Sequence, residues 1–122
     1  MSRIEDLNKT LSSLQASSSD IEASAIVSED GLIIASSLPQ NVEEGRVAAM
    51  SAAMLSMGDR VAAELKRGQL EQLYVKGDNG YILSMHAGAH AVLVAMARKE
   101  AKLGLMFFDL TKAAEETKKI LS

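Results

Sequence analysis

The hydrophobic residues of this chain recur with two periods, one typical of helices and the other typical of strands. Near the N-terminus they are three or four residues apart and share one helical face: Ile4, Leu7, Leu11 and Leu14. Ser2 precedes this face and Glu5 lies three positions later, a spacing that predicts a capping box at the start of a first helix. The polar run over residues 17–20 predicts the end of that helix.

Two strand-like runs follow the first helix, over residues 21–28 and 32–37, with a short polar segment between them. This segment ends in Asp30 and Gly31. An Asp-Gly pair between two such runs predicts a β-hairpin, because glycine tolerates the positive φ that a tight turn requires.

One long helix, three strands and a final helix complete the pattern. Residues 42–67 are rich in Ala, Met, Glu and Leu, which are good helix formers, so they predict a long second helix. Strand-like runs cover residues 70–76 and 81–86, joined by a Gly-Asp-Asn-Gly turn, and a third run covers 91–97. Apolar residues at helical spacing then predict a third helix over about 101–121.

The predicted order of elements is α-β-β-α-β-β-β-α. Adjacent hairpins favour a mainly antiparallel sheet with helices laid on its faces, which is an α+β layered domain. A length of 122 residues fits a single domain that spans residues 1–122.

The long second helix has more apolar surface than one buried face requires. A wide stripe is predicted to dock it on the sheet: Val47, Met50, Met54, Val61 and Leu65. Further apolar residues point away from that stripe: Ala48, Ala49, Ala52, Ala53, Leu55, Met57 and Ala63. Because a chain of this length has no second layer to cover them, we expect another subunit to do so. The alternative is that these alanines serve only as good helix formers on a solvated face.

The strand that follows the long helix adds a second indication of self-association. It begins a three-stranded meander, so it is expected at an edge of the sheet, where its unpaired backbone invites another chain. A two-fold homodimer that joined these edges and packed the long helices together would cover both surfaces. The residues expected at this interface lie on the helix and on the edge strand: Ala48, Ala52, Leu55, Leu73, Tyr74 and Val75.

Composition and motifs exclude several classes of chemistry. The chain carries 13 Lys and Arg against 16 Asp and Glu, so it lacks the excess positive charge of a nucleic-acid-binding protein. It contains no Cys, no phosphate-binding glycine loop and no set of Ser, His and acidic residues at a spacing that indicates catalysis. Its two histidines, His86 and His90, are too few for a metal site. We therefore expect no cofactor and no enzymatic activity. The first 14 residues mix charged and single apolar residues, unlike a signal peptide, and the longest apolar run, near residues 91–97, is too short to span a bilayer. A cytoplasmic location is therefore expected.

The order of elements and two segments resemble the Roadblock family of dynein light chain-like proteins. The segments are the hairpin A-I-V-S-E-D-G-L-I-I-A-S over residues 25–36, and A-V-L-V-A-M over 91–96 followed by Leu-Gly-Leu at 103–105. The stand-alone prokaryotic members, similar to the gliding-motility regulators of small Ras-like GTPases, match best. The resemblance implies a Roadblock/profilin-like five-stranded antiparallel sheet, with the long helix on one face and the terminal helices on the other, and a homodimer joined through the long helix and the third strand.

By the same resemblance, the paired long helices form a platform that contacts a GTPase. Carried onto this sequence, the platform residues are Arg46, Ala49, Ala53, Met57 and Arg60. The resemblance thus implies a non-enzymatic homodimer that binds a small Ras-like GTPase and modulates its activity. The alternative is a homodimeric scaffold with no effect on GTP hydrolysis. Two mechanisms are open. In one, Arg46 and Arg60 act as arginine fingers; in the other, the protein orients the GTPase's own catalytic residues.

Overall fold

The computed structural model describes residues 2–122, which form eight elements in the predicted order. Their bounds are α1 (Arg3–Ser17), β1 (Ile21–Ser28), β2 (Ile33–Ser37), α2 (Glu44–Glu64), β3 (Leu73–Gly77), β4 (Gly80–His86), β5 (Ala91–Ala97) and α3 (Leu103–Leu121). The start of α1 is capped as predicted, because the Glu5 N–H donates to Ser2 Oγ at 3.2 Å.

The five strands form one sheet in the order β2-β1-β5-β4-β3, and every neighbouring pair is antiparallel. This confirms the α+β class and the five-stranded antiparallel sheet. The central pairing joins β1 to β5, which are more than 60 residues apart in the sequence. Strand β3 lies at one edge and β2 at the other.

Each face of the sheet has its own apolar core. On one face, α1 and α3 bury large side chains, including Leu7, Leu11, Ile26, Leu93 and Leu110. On the other face, α2 packs on a smaller cluster built from Ala25, Val27, Ala48, Leu55, Val92 and Val94. The long helix therefore lies alone on its face of the sheet, opposite the two terminal helices, as the resemblance implies. No helix within residues 2–122 is long and apolar enough to cross a lipid bilayer.

The predicted third strand begins three residues late, at Leu73 rather than Leu70. The Leu70 side chain packs beside α2 and joins the core of that face instead of pairing with β4. The predicted second helix also ends early, at Glu64, where the Arg67 N–H turns back to the Ala62 carbonyl.

Candidate functional site on helix α2

Small residues form the face of α2 that docks on the sheet. The buried positions are Ala48, Ser51, Leu55, Gly58 and Ala62. The contact is close, because a Cβ built on Gly58 would lie 2.9 Å from Leu73 Cδ2. Leu55, 1% exposed, is the one large apolar side chain that α2 places fully in this core.

Of the apolar stripe predicted to dock α2 on the sheet, Val47 packs against the core of that face, and for the other four residues the prediction was wrong. Met50 is 67% exposed, Val61 48% and Leu65 66%, while Val47 and Met54 are half-buried along one flank of the helix. The sheet beneath α2 carries valines that already fill the space, so the helix approaches on small residues and directs its long side chains sideways and outward.

This exposed flank of α2 borders a groove above β3, β4 and β5. The groove has a volume of about 830 Å³, and its apolar lining includes Met50, Met54, Val75, Ile82 and Met96. Val75 and Ile82 lie on the sheet face that α2 shares, and they are 53% and 38% exposed. We name the groove together with Val61 the α2 flank. A monomer of this size rarely leaves such a continuous apolar surface open without a partner.

The residues expected at a dimer interface fall into three different environments. Ala48 and Leu55 are buried beneath α2, so they offer no surface to a second chain, and their assignment is corrected here. Ala52 and Leu73 are half-buried, and Val75 is exposed in the α2 flank. Tyr74 is 45% exposed on the opposite face of β3, where its ring lies 6.2 Å from that of Phe107.

The structure brings the five platform residues together on the outer surface of α2, directly opposite the sheet: Arg46, Ala49, Ala53, Met57 and Arg60. All five are exposed. At a rise of 1.5 Å per residue, the two arginines are about 21 Å apart along the helix. Between them lie two alanines and Met57, so the centre is apolar and flat while the ends are charged.

Both arginines at the ends of this surface are paired with glutamates of the same helical segment. Arg46 lies 3.9 Å from Glu43, and Arg60 lies 3.6 Å from Glu64, with all four side chains more than two-thirds exposed. Such exposed pairs contribute less than about 1 kcal/mol, so either arginine can exchange its glutamate for a partner's carboxylate at little cost.

The histidines lie in separate contacts with carboxylates and do not converge. His86 Nε2 lies 2.9 Å from both carboxylate oxygens of Asp59, which links β4 to α2, and His90 Nδ1 lies 3.0 Å from Glu29. Within residues 2–122 no three metal-ligating side chains come together.

The small basic cluster near residue 98 is not a convergent site either. Arg98 Nε donates to Asp20 at 2.5 Å, and this hydrogen bond together with the charge of Asp20 raises the pKa of Arg98 above its ordinary value. Its guanidinium is therefore held by the loop before β1.

Comparisons with known proteins agree with this architecture. The sequence model of the Roadblock/LC7 domain matches residues 7–97. An uncharacterised protein of Methanocaldococcus jannaschii, MJ1340, is 37% identical over 93% of this chain and 91% of its own length.

Among solved structures, the chain is similar to MglB of Myxococcus xanthus, with 20% identity, a TM-score of 0.87 and coverage of 99% and 91% of the two chains. It is also similar to a Roadblock/LC7 domain from Streptomyces avermitilis, with 18% identity, a TM-score of 0.86 and coverage of 93% and 96%. Profilin II of Acanthamoeba castellanii shares the fold more distantly, with 14% identity, a TM-score of 0.66 and coverage of 93% and 97%. This chain belongs to the Roadblock/LC7 family.

Proposed function

We propose that this protein is a non-enzymatic homodimer that binds a small Ras-like GTPase on the outer surface of α2 and modulates its activity. The observation that carries the proposal is the exposure of α2 on two sides. The α2 flank is open and apolar. The outer surface is flat, with small side chains near its centre and an arginine at each end. The first surface suits a second copy of the chain, and the second suits a different protein.

The α2 flank supports the homodimer. Met50 and Val61 of the helix, and Val75 and Ile82 of the sheet, are large apolar side chains left exposed on adjacent elements. Strand β3 lies at the sheet edge beside them, with no strand paired to its outer side in the described residues. A two-fold arrangement that pairs the β3 edges brings each α2 flank against its mate and extends the sheet to ten strands. Stable dimers bury roughly 800 Å² per partner, largely with side chains of this kind.

Of the platform residues, Ala49, Met57 and Arg60 lie outside the groove and stay free in such a dimer. Arg46 and Ala53 also line the groove, so they lie where the platform meets the proposed dimer interface. Ala49 and Ala53 let a partner's backbone or switch segment approach closely and lose almost no side-chain entropy on contact. The fold that this chain shares with MglB supports a GTPase as the partner, since the gliding-motility regulators that the sequence resembles act on small Ras-like GTPases.

A scaffold without effect on GTP hydrolysis is the second candidate function. It is favoured by the state of the arginines, each of which is paired with a glutamate at an end of the platform. An arginine finger has to extend from the surface to the transferred phosphate, where it is worth about 10³–10⁵ in rate. Under the scaffold alternative the GTPase binds but its turnover is unchanged.

Measurement of GTP turnover and of binding in parallel distinguishes the two functions. The test uses small Ras-like GTPases encoded in the same genome, with the full-length protein added in excess. We expect Met57→Glu to abolish binding, because it places a charge in the apolar centre of the platform. Leu105→Glu is the matched control, since Leu105 is 54% exposed on α3 at the other face of the sheet.

Each outcome of this experiment favours one candidate. Faster or slower turnover that Met57→Glu removes supports the regulator, and Arg60→Ala then tests the arginine directly. Binding with unchanged turnover supports the scaffold. If no GTPase binds the wild-type protein, both candidates are wrong.

A further inference from the structure

The turn between β1 and β2 lies against the backbone of α2, beside the platform. Gly31 has a φ of +87°, and a Cβ built on it would lie 3.5 Å from the Cα of Ala49. Ala49 is a platform residue, so the turn borders the outer surface of α2 on the side opposite the α2 flank. Glycine at position 31 therefore lets this turn lie against the backbone of α2, where the Cβ of any larger residue would contact Ala49.

Five polar contacts hold the turn in one conformation. The Gly31 N–H donates to the Ser28 carbonyl at 3.0 Å, and the Leu32 N–H donates to Ser28 Oγ at 3.1 Å. In return the Ser28 N–H donates to the Leu32 carbonyl at 2.8 Å. The Glu29 N–H donates to the His90 carbonyl at 3.1 Å, and its carboxylate lies 3.0 Å from His90 Nδ1. The turn is thus tied both to itself and to the β4–β5 hairpin.

This rigid turn presents an apolar side chain to solvent. Leu32 is 67% exposed, although its own N–H and carbonyl are held by the contacts with Ser28. An apolar group on a preorganised loop loses little conformational freedom when a partner covers it, so most of its burial contributes to affinity. The exposed Asp30 precedes it by two residues and makes no ion pair in the described part of the chain.

We propose that Leu32 and Asp30 form a second contact region for the GTPase, continuous with the platform on α2. The GTPase surface that fits has an apolar spot opposite Leu32 with a basic side chain next to it, and its carboxylates face the arginines at the ends of α2. This inference rests on the proposed function, and it adds a residue outside α2 that determines affinity for the partner.

The test is a titration of the full-length protein against the Ras-like GTPase that it binds, loaded with a non-hydrolysable GTP analogue. We expect Leu32→Ser to weaken binding about tenfold, as for an apolar side chain that the partner buries. Leu105→Ser is the control, because it removes a comparably exposed leucine from α3, and it should change Kd less than about twofold. Asp30→Lys is the second variant, and it should slow association most at low ionic strength.

The outcomes separate this inference from the function beneath it. If Leu32→Ser and Asp30→Lys both bind like the wild type while Met57→Glu does not bind, the turn is not part of the interface. The proposed platform on α2 is then still supported. If Leu105→Ser weakens binding as much as Leu32→Ser, the effect is not specific to the turn and the inference is overturned. If the wild-type protein binds no GTPase, the proposed function and the second contact region are both wrong.

Discussion

Two residues on different sides of α2 test which face of the helix docks on the sheet. Leu55→Ala removes a side chain that is 1% exposed, and truncation of a buried leucine costs about 3 kcal/mol. A domain of 122 residues has an unfolding entropy of about 0.26 kcal/mol/K, so this loss lowers Tm by about 12 °C. Met50→Ala removes a side chain that is 67% exposed, and within a protomer it costs less than about 0.5 kcal/mol.

The assay is thermal or urea unfolding at several protein concentrations. Leu55→Ala should be less stable than the wild type at every concentration, because the lost contacts lie within one protomer. Met50→Ala should match the wild type when both are dilute and fall behind only where the wild type is dimeric, since the linkage between dimerisation and unfolding follows mass action. Equal destabilisation by both variants in dilute protein would refute the observed orientation of α2.

Four further substitutions test local features of the sheet, of its contact with α2 and of the segment that follows α2. Gly80→Ala should lower the free energy of unfolding, measured in urea, by about 3 kcal/mol, because its φ is +148° and a Cβ there would lie 2.4 Å from the Ala97 carbonyl oxygen. Gly68→Ala should lower it by only about 1 kcal/mol, because its φ is +88° but a Cβ there would have no atom within 4 Å. Ser84→Ala should raise the free energy of unfolding by about 1 kcal/mol, because its buried hydroxyl has no hydrogen-bond partner within residues 2–122. Asp59→Asn should lower the free energy of unfolding by about 0.5 kcal/mol, since it weakens a half-exposed contact with His86 of β4.

Local sequence patterns predicted the helices and strands well, because each element is marked by the periodicity and the turn residues of its own segment. The bounds of β1 and β5 agree with the prediction, since each is a continuous run of β-type residues between turn residues. The order of strands in the sheet depends on the pairing of β1 with β5, which no local pattern specifies. The resemblance to the Roadblock family implied a five-stranded antiparallel sheet, and the order of its strands was not predicted.

The face on which α2 docks could not be predicted from hydrophobicity alone. Ranking residues by apolar size selected Met50 and Leu65, but the helix docks through residues such as Gly58 and Ala62. Which apolar face turns inward depends on the shape of the opposing sheet, where valines leave room only for small side chains. The excess of apolar surface on α2 was nevertheless visible in the sequence, and so was the set of residues on its outer side.

The segment that contains Leu32 was recognised in the sequence only as a turn, and its proposed role in binding was not predicted. The Asp-Gly pair before it predicted a hairpin, and β2 indeed begins at the following residue, Ile33. The position of the neighbouring Gly31 beside Ala49 depends on the packing of the hairpin against a helix that begins more than ten residues later. A contact of this kind appears only once the chain is folded.

Sedimentation velocity of the full-length protein at micromolar concentration tests the central claim most directly. The account predicts a dimer of twice the 13.0 kDa chain mass, and it predicts that Val75→Glu, in the α2 flank beside the free edge of β3, leaves a folded 13.0 kDa species. A wild-type protein that sediments only as a 13.0 kDa monomer across this range would contradict the account.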